Sequence, residues 1–214
     1  MRSIAGMFIV LLLAGCASTP PIPPNYSGSD AGKIVVGIGA AAGTNYSSYS
    51  FLFRRVDQRS LPKDQQQVGR LMFLQNNIFS SNEPDYDTSS EQGEVLVQSI
   101  PAAKYEIFNF DIYDNGYVER NFSSRVDFSI PFTVEAGKIT YLGNYQANKL
   151  MGKNYFGLPI PAGALFVVSD RAQNDLEIAY RKKEIPEIGA NNSTPTVDSI
   201  GNPLFIEPSS IVIE

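Results

Sequence analysis

The stretch VDFSIPFTVEAGKITYLGNY, residues 126–145, decides how this chain folds. Apolar side chains recur at every second position: Val126, Phe128, Ile130, Phe132 and Val134. An extended chain with that spacing has one apolar face and one polar face. Glu135-Ala136-Gly137 then reads as a tight turn. Lys138 to Tyr145 reads as the next strand, with Ile139 and Tyr141 on the matching face. Period two on both sides of a turn is the pattern of a half-buried antiparallel sheet.

The same grammar runs through the rest of the chain. Lys33 to Ile38, Tyr49 to Val56, Leu71 to Leu74, Glu94 to Gln98 and Lys104 to Tyr113 are rich in Val, Ile, Phe and Tyr and read as strands. Asp114-Asn115-Gly116 follows the last of these. Asn-Gly between two strand-like runs predicts a type I′ hairpin turn, in which both central residues need positive φ. Residues 117–122 would return beside it. Ala164 to Val168 is a continuous apolar run, as in a strand covered on both faces.

The expected fold is therefore mainly β. It is an antiparallel β-sandwich, Ig-like or prealbumin-like, spanning residues 33–185. The chain has no Trp, so 11 Tyr and 13 Phe supply the bulk of the core. One short helix is expected at about 171–183. Asp170 is its N-cap, and Gln173 three residues on makes a capping-box-like pair. Ala172, Leu176 and Tyr180 form its apolar stripe. Arg181, Lys182 and Lys183 sit in the last turn, where cations suit the helix dipole. Pro186 marks the stop. Residues 186–214, rich in Asn, Ser, Thr and Pro, are expected as a mobile tail whose Phe205 to Ile213 segment can dock as a late strand.

The first residues are of a different kind. Arg2 gives a short basic region, Met7 to Leu13 an apolar run, and Leu13-Ala14-Gly15-Cys16 follows at once. The run is too short to span roughly 30 Å of hydrocarbon as a stable helix. This stretch resembles a bacterial lipoprotein signal ending in a lipobox. The resemblance implies cleavage between Gly15 and Cys16 and acylation of Cys16. It also implies that residues 1–15 form the leader. Ala17 and Ser18 lack the Asp that holds such proteins in an inner membrane. The implied location is thus the bacterial outer membrane, lipid-anchored and facing the periplasm, with surface exposure as the alternative. Loss of Arg2 with the leader moves the net charge from −5 to −6. Residues 16–32 then read as the lipidated Cys and a Pro-, Gly- and Ser-rich tether.

A second resemblance lies in Ser99 to Ile107 (SIPAAKYEI) and Pro131 to Gly143 (PFTVEAGKITYLG), with Val168-Ser169-Asp170-Arg171 ahead of the helix. This pattern is similar to bacterial lipoproteins of unknown function built on a prealbumin-like or carboxypeptidase-regulatory-like sandwich. Ala103 departs from it, since Gly is usual there. The resemblance implies a fold and brings no catalytic residues.

Composition excludes whole classes of chemistry. There is no His, and Cys16 is the single Cys. A His-based triad, a His or Cys metal site, an internal disulfide and a catalytic thiol away from residue 16 are all ruled out. A net acidic chain is unsuited to sequence-independent nucleic-acid binding. Glu83, Asp85, Asp87 and Glu91 form an acidic loop that can be read as a Ca²⁺ site, although its spacing is not that of an EF-hand. Arg54, Arg55 and Arg59 form a small basic group near Asp57, read either as an anion-binding patch or as an exposed strand end. Gly37 to Gly43 lacks the GK[ST] and GxGxxG signatures of nucleotide loops and reads as a flexible strand exit.

The expectation is a non-enzymatic envelope lipoprotein that binds or scaffolds. It needs no cofactor. Its partners would be the membrane, through the lipid, and an envelope protein or a cell-wall glycan. The alternative is a carboxylate-based hydrolase or ligand-binding module on the same sandwich. The loops 60–69 and 80–93 are where such a site would sit. The anchor reading has a direct check. A Cys16→Ala chain should lose labelling by a fatty-acid analogue and move to the soluble fraction, and retention on salt-washed membranes would overturn it.

Overall fold

The computed structural model describes residues 19–75, 83–116, 118–187 and 189–210. Leu13 to Cys16 and the acylation expected there lie outside these residues. Twelve strands and two helices are formed among the described residues. The strands are β1 (Ala31–Ala41), β2 (Ser48–Arg55), β3 (Val68–Leu74), β4 (Tyr86–Asp87), β5 (Glu91–Pro101), β6 (Ala103–Asn115), β7 (Glu119–Ser123), β8 (Ile130–Val134), β9 (Ile139–Lys153), β10 (Pro159–Ser169), β11 (Asn191–Asn192) and β12 (Phe205–Ile206). The helices are α1 (Ala172–Arg181) and α2 (Val197–Ile200).

They build two packed sheets, the mainly β sandwich expected from the period-two pattern. The first sheet runs β12-β10-β9-β1-β5-β4, with β11 also on β9. The second runs β3-β2-β6-β7, with β8 also on β6. The core between them is aromatic. Phe51 lies 4.8 Å from Tyr145 and 4.9 Å from Phe166, and Phe110 lies 5.1 Å from Phe166, centroid to centroid. Tilted and edge-on contacts at these distances add to the burial of each ring.

The first sheet is covered on both faces. A second, smaller core joins Val35, Val95, Ile139 and Tyr141 of the sheet to Leu176, Ile178 and Ala179 of α1 and to Ile185. Residues 34–40 of β1 and 139–147 of β9 are consequently buried without interruption. The apolar stripe of α1 is Leu176, Ile178 and Ala179, and the expected Tyr180 faces outward. The N-cap position is Arg171 rather than the expected Asp170, which stands one residue earlier and accepts the backbone N–H of Ala172 at 3.0 Å.

The pairing differs from a purely antiparallel sandwich. β1 and β9 run parallel, as do β10 with β12 and β9 with β11. The corner at Glu135-Ala136-Gly137, with Gly137 at φ 69°, explains the first case. It carries the chain from β8 in the second sheet to β9 in the first, rather than folding a hairpin back. Of the alternating residues ahead of that corner, Phe128 to Val134 are buried, whereas Val126 is exposed. The Asn115-Gly116 turn also differs. Asn115 pairs with Glu119 as the last rung of β6 and β7, so it is not the centre of a two-residue turn.

The tether expected to be free is docked, and the tail docks through the late strand expected near Phe205. Asn25 bridges Ser99, Tyr26 N–H donates to Ser99 O at 2.8 Å, and Ser99 N–H donates to Pro24 O at 3.0 Å. Ile22 is buried in the main core. Proline lacks a donor, but its carbonyl still accepts, and its extended backbone fits a strand edge. At the other end Phe205 brings its ring to 5.0 Å from Phe128 and 5.7 Å from Phe166. Ile200 is buried as well. The described part of the tail, 189–210, is therefore part of the sandwich.

Glu106 is a buried charge in the second sheet. It accepts Arg54 Nε at 2.9 Å and Ser129 Oγ at 2.6 Å, and it pairs with Arg59. Burial alone would raise its pKa, but the bonds from Arg59, Ser129 and Arg54 outweigh burial and hold it at about 2, against an ordinary 4.5. A depressed folded pKa contributes stability above the ordinary value and loses it as pH falls through the folded one. Acid titration should therefore remove up to about 3 kcal/mol between about pH 4.5 and pH 2. Glu106→Gln should flatten that limb, read by urea unfolding across the same range.

Candidate binding surface and the buried polar row

The four carboxylates of the acidic loop are separated by the fold. Asp85 accepts the Val95 N–H at 2.8 Å and pairs with Lys182 Nζ at 2.9 Å. Glu91 is held by both terminal guanidinium nitrogens of Arg171, at 2.5 and 2.9 Å. Glu83 and Asp87 are exposed. The ammonium of Lys182 also reaches Glu184 at 3.6 Å, so Asp85 is taken up by a cation of the chain itself. Among the described residues no group of three or more acidic, His or Cys side chains is arranged to hold a metal ion. The basic group divides in the same way. Arg54 and Arg59 turn inward to Glu106, and Arg55 pairs with Asp57 at 2.7 Å.

Sequence reading missed a row of polar side chains buried between the first sheet and α1. Asp175 has no exposed surface, and its Oδ2 accepts from Tyr141 Oη at 2.7 Å and from Asn144 Nδ2 at 3.0 Å. Gln146 Nε2 donates to Asn144 Oδ1 at 2.8 Å and to Tyr86 Oη at 2.6 Å. Room for this row comes from β1. A Cβ on Gly37 would collide with Asn144 Nδ2 and lie 2.6 Å from Asp175 Oδ2, and one on Gly39 would collide with Gln92 O. The glycines read as a flexible strand exit are instead buried positions where a polar neighbour comes too close for any side chain. Burial pushes the Asp175 carboxyl up, against the pull of Asn144, Tyr141 and Arg171. A substrate has no access to a carboxylate so enclosed, which gives the row a structural role.

The surface that stands out is the tip of β9 and β10. β9 leaves β1 after Ala147 and continues to Lys153 paired with β10. The two strands thus run on as a ribbon beyond the end of β1. The connecting residues Asn154-Tyr155-Phe156-Gly157 form a tight turn, with the Gly157 N–H on Asn154 O at 2.9 Å. Asn at the first position and Gly at the fourth is the pattern such turns favour, and Gly157 takes φ 76°. Asn154 Oδ1 accepts the N–H groups of Phe156 and Leu158, each at 2.9 Å. The turn is stiffened, and its two central side chains face solvent. Tyr155 is 97% exposed and Phe156 82%. Met151 and Leu158 beside them are also exposed. The Asn-x-x-Gly spacing between two apolar runs was the available signal in the sequence.

Comparison with protein-family profiles, with curated proteins and with solved structures finds no match in any of the three.

The buried row yields a test with a definite sign. A raised folded pKa makes ionisation of Asp175 costlier in the folded chain, so stability falls as pH rises through the ordinary carboxylate range. Asp175→Asn should remove that fall while keeping an acceptor for Tyr141 and Asn144. Asp175→Leu should cost about 2–4 kcal/mol by stranding two buried donors. Chemical denaturation from acid to neutral pH distinguishes the two.

Proposed function

We propose that this chain is a non-enzymatic envelope module, held to a bacterial outer membrane by an acylated Cys16, that docks through the β9–β10 tip. The observation that carries the docking role is the pair Tyr155 and Phe156, almost fully exposed on a turn braced by Asn154. Soluble domains scatter single apolar residues over their surfaces, but a contiguous aromatic and aliphatic tip marks an interaction site. Large rings on a stiff turn lose little conformational freedom when they bind.

The arrangement of the two ends supports the same reading. Asn25, Ser99, Lys33 and Ile139 lie on one level of the first sheet, linked by strand pairing. The tether therefore leaves the sandwich beside the first residue of β9. The tip follows its last residue, fifteen positions on and roughly 50 Å along the strand. The described end of the tether at Asn25 and the tip thus lie toward opposite ends of the first sheet. Among the described residues no helix is long and apolar enough to cross a membrane.

A photo-crosslinking residue placed at position 156 of the full chain, in cells, should give adducts, with protein or with lipid, that position 61 does not. Tyr155→Ser with Phe156→Ser should leave the thermal midpoint unchanged, because neither ring packs in the core. Equal adducts at both positions, or none at 156, would overturn the docking role.

A further inference from the structure

We infer that the β9–β10 tip docks into the interfacial layer of an anionic lipid bilayer; this rests on the reading of the tip as the docking surface. Three observations select a bilayer as the occupant.

The first is shape. The tip is convex and two strands wide, with Tyr155 and Phe156 at its apex and Met151 and Leu158 on its flanks. A convex apolar wedge matches a soft interface that has no preformed pocket. Tyrosine and phenylalanine suit that layer, since the ring sits among the acyl chains and the tyrosine hydroxyl stays at headgroup level.

The second is charge. The full chain carries 22 acidic residues against 17 basic ones, yet none of its Asp or Glu falls between Gln146 and Ser169. Lys149 and Lys153 lie in that span. Lys153 is exposed next to the turn, and no carboxylate among the described residues pairs with it. Lys149 sits farther back, its ammonium 5.7 Å from the centre of the Tyr46 ring. An acidic molecule is repelled as a whole by an anionic surface. An acid-free ribbon with lysines behind an apolar apex is the complement of anionic headgroups above hydrocarbon.

The third is what the tip lacks. Protein interfaces surround an aromatic centre with a rim of hydrogen-bonding groups. Here Asn154 Oδ1 is taken up by the turn itself, accepting from Phe156 and Leu158. Gly157, Pro159 and Pro161 add no polar side chains.

The distances permit contact at both ends. The chain between Cys16 and Ile22 has a reach of up to about 20 Å. With the acylated Cys16 in the bilayer, the long axis of the sandwich then lies along the surface and the tip rests on the same membrane. Each contact is weak alone, and two together hold far more firmly.

The absence of Trp makes the test simple. Phe156→Trp introduces the sole tryptophan of the full chain, and Tyr180→Trp places one on exposed α1 as the control. Vesicles of phosphatidylglycerol with phosphatidylethanolamine should shift the emission of the indole at position 156 to the blue, and bromine on the lipid acyl chains should quench it. Phosphatidylcholine vesicles should give a much smaller response, and added salt should weaken the anionic one. The control should not respond. Lys153→Glu, added to Phe156→Trp, should weaken the blue shift without changing the thermal midpoint, because Lys153 is exposed and no carboxylate among the described residues pairs with it. The readout is local to position 156, so insertion of the N-terminal segment does not imitate it. Emission from position 156 that stays aqueous and unquenched with both lipids, or an equal shift at position 180, would overturn the inference. Aqueous emission from position 156 together with protein adducts at the same position would mean that the tip docks on a protein, leaving the docking role standing and the bilayer excluded.

Discussion

Burial of β1 on both faces is the constraint from which the rest of this structure follows. A strand enclosed by a second sheet on one side and a helix on the other has no solvent to satisfy polar neighbours. A polar group brought near it depends on partners within the protein. Asp175 from α1 and Asn144 from β9 come so close to β1 that position 37 must be glycine. Tyr141 and Asn144 pair Asp175 Oδ2, and Gln146 joins Asn144 to Tyr86, whereas Asp175 Oδ1 and Gln146 Oε1 are buried without a hydrogen-bond partner. Such a row orients the helix against the sheet, because sliding α1 by one residue would strand the carboxylate without its donors.

The same enclosure explains the length of β9. Nine consecutive residues of that strand are buried where it lies beside β1, with β11 and then β10 on its other edge, and burial becomes partial once β1 ends. The ribbon that continues is held by its own ladder and by the asparagine-braced turn. An isolated two-stranded ribbon is of marginal stability, so an exposed aromatic apex on one is an unfavourable arrangement for a chain to keep unless the apex makes contact with something. The proposed docking role rests on this local imbalance between exposure and order.

Several ion pairs in this chain are fastenings between distant segments, although Arg55 pairs locally with Asp57. Arg171 joins the residue ahead of α1 to β5 through Glu91, Lys182 joins the end of α1 to Asp85, and Arg54 and Arg59 converge on Glu106. Residues that look like a metal loop and a basic patch in one dimension are thus partners of opposite charges far along the chain. Their spacing in sequence held no record of that, because salt bridges form between whatever the topology brings together.

Much was legible from the chain alone. Alternation in Phe128 to Val134, the β-branched runs at Lys33 to Ile38 and Ala164 to Val168, and Asp170 ahead of the helix are local signals, and local signals survive folding because strand period and helix initiation depend on neighbouring residues. The mainly β sandwich with a late helix was determined at that level. The tertiary structure decided which strands meet, that β1 and β9 run parallel, that the Pro-rich segment docks instead of hanging free, that Gly37 and Gly39 make room for a polar row, and that Tyr155 and Phe156 stay outside. Each depends on contacts between residues distant in sequence, and a period-two pattern says which side of a strand is buried but not what will bury it.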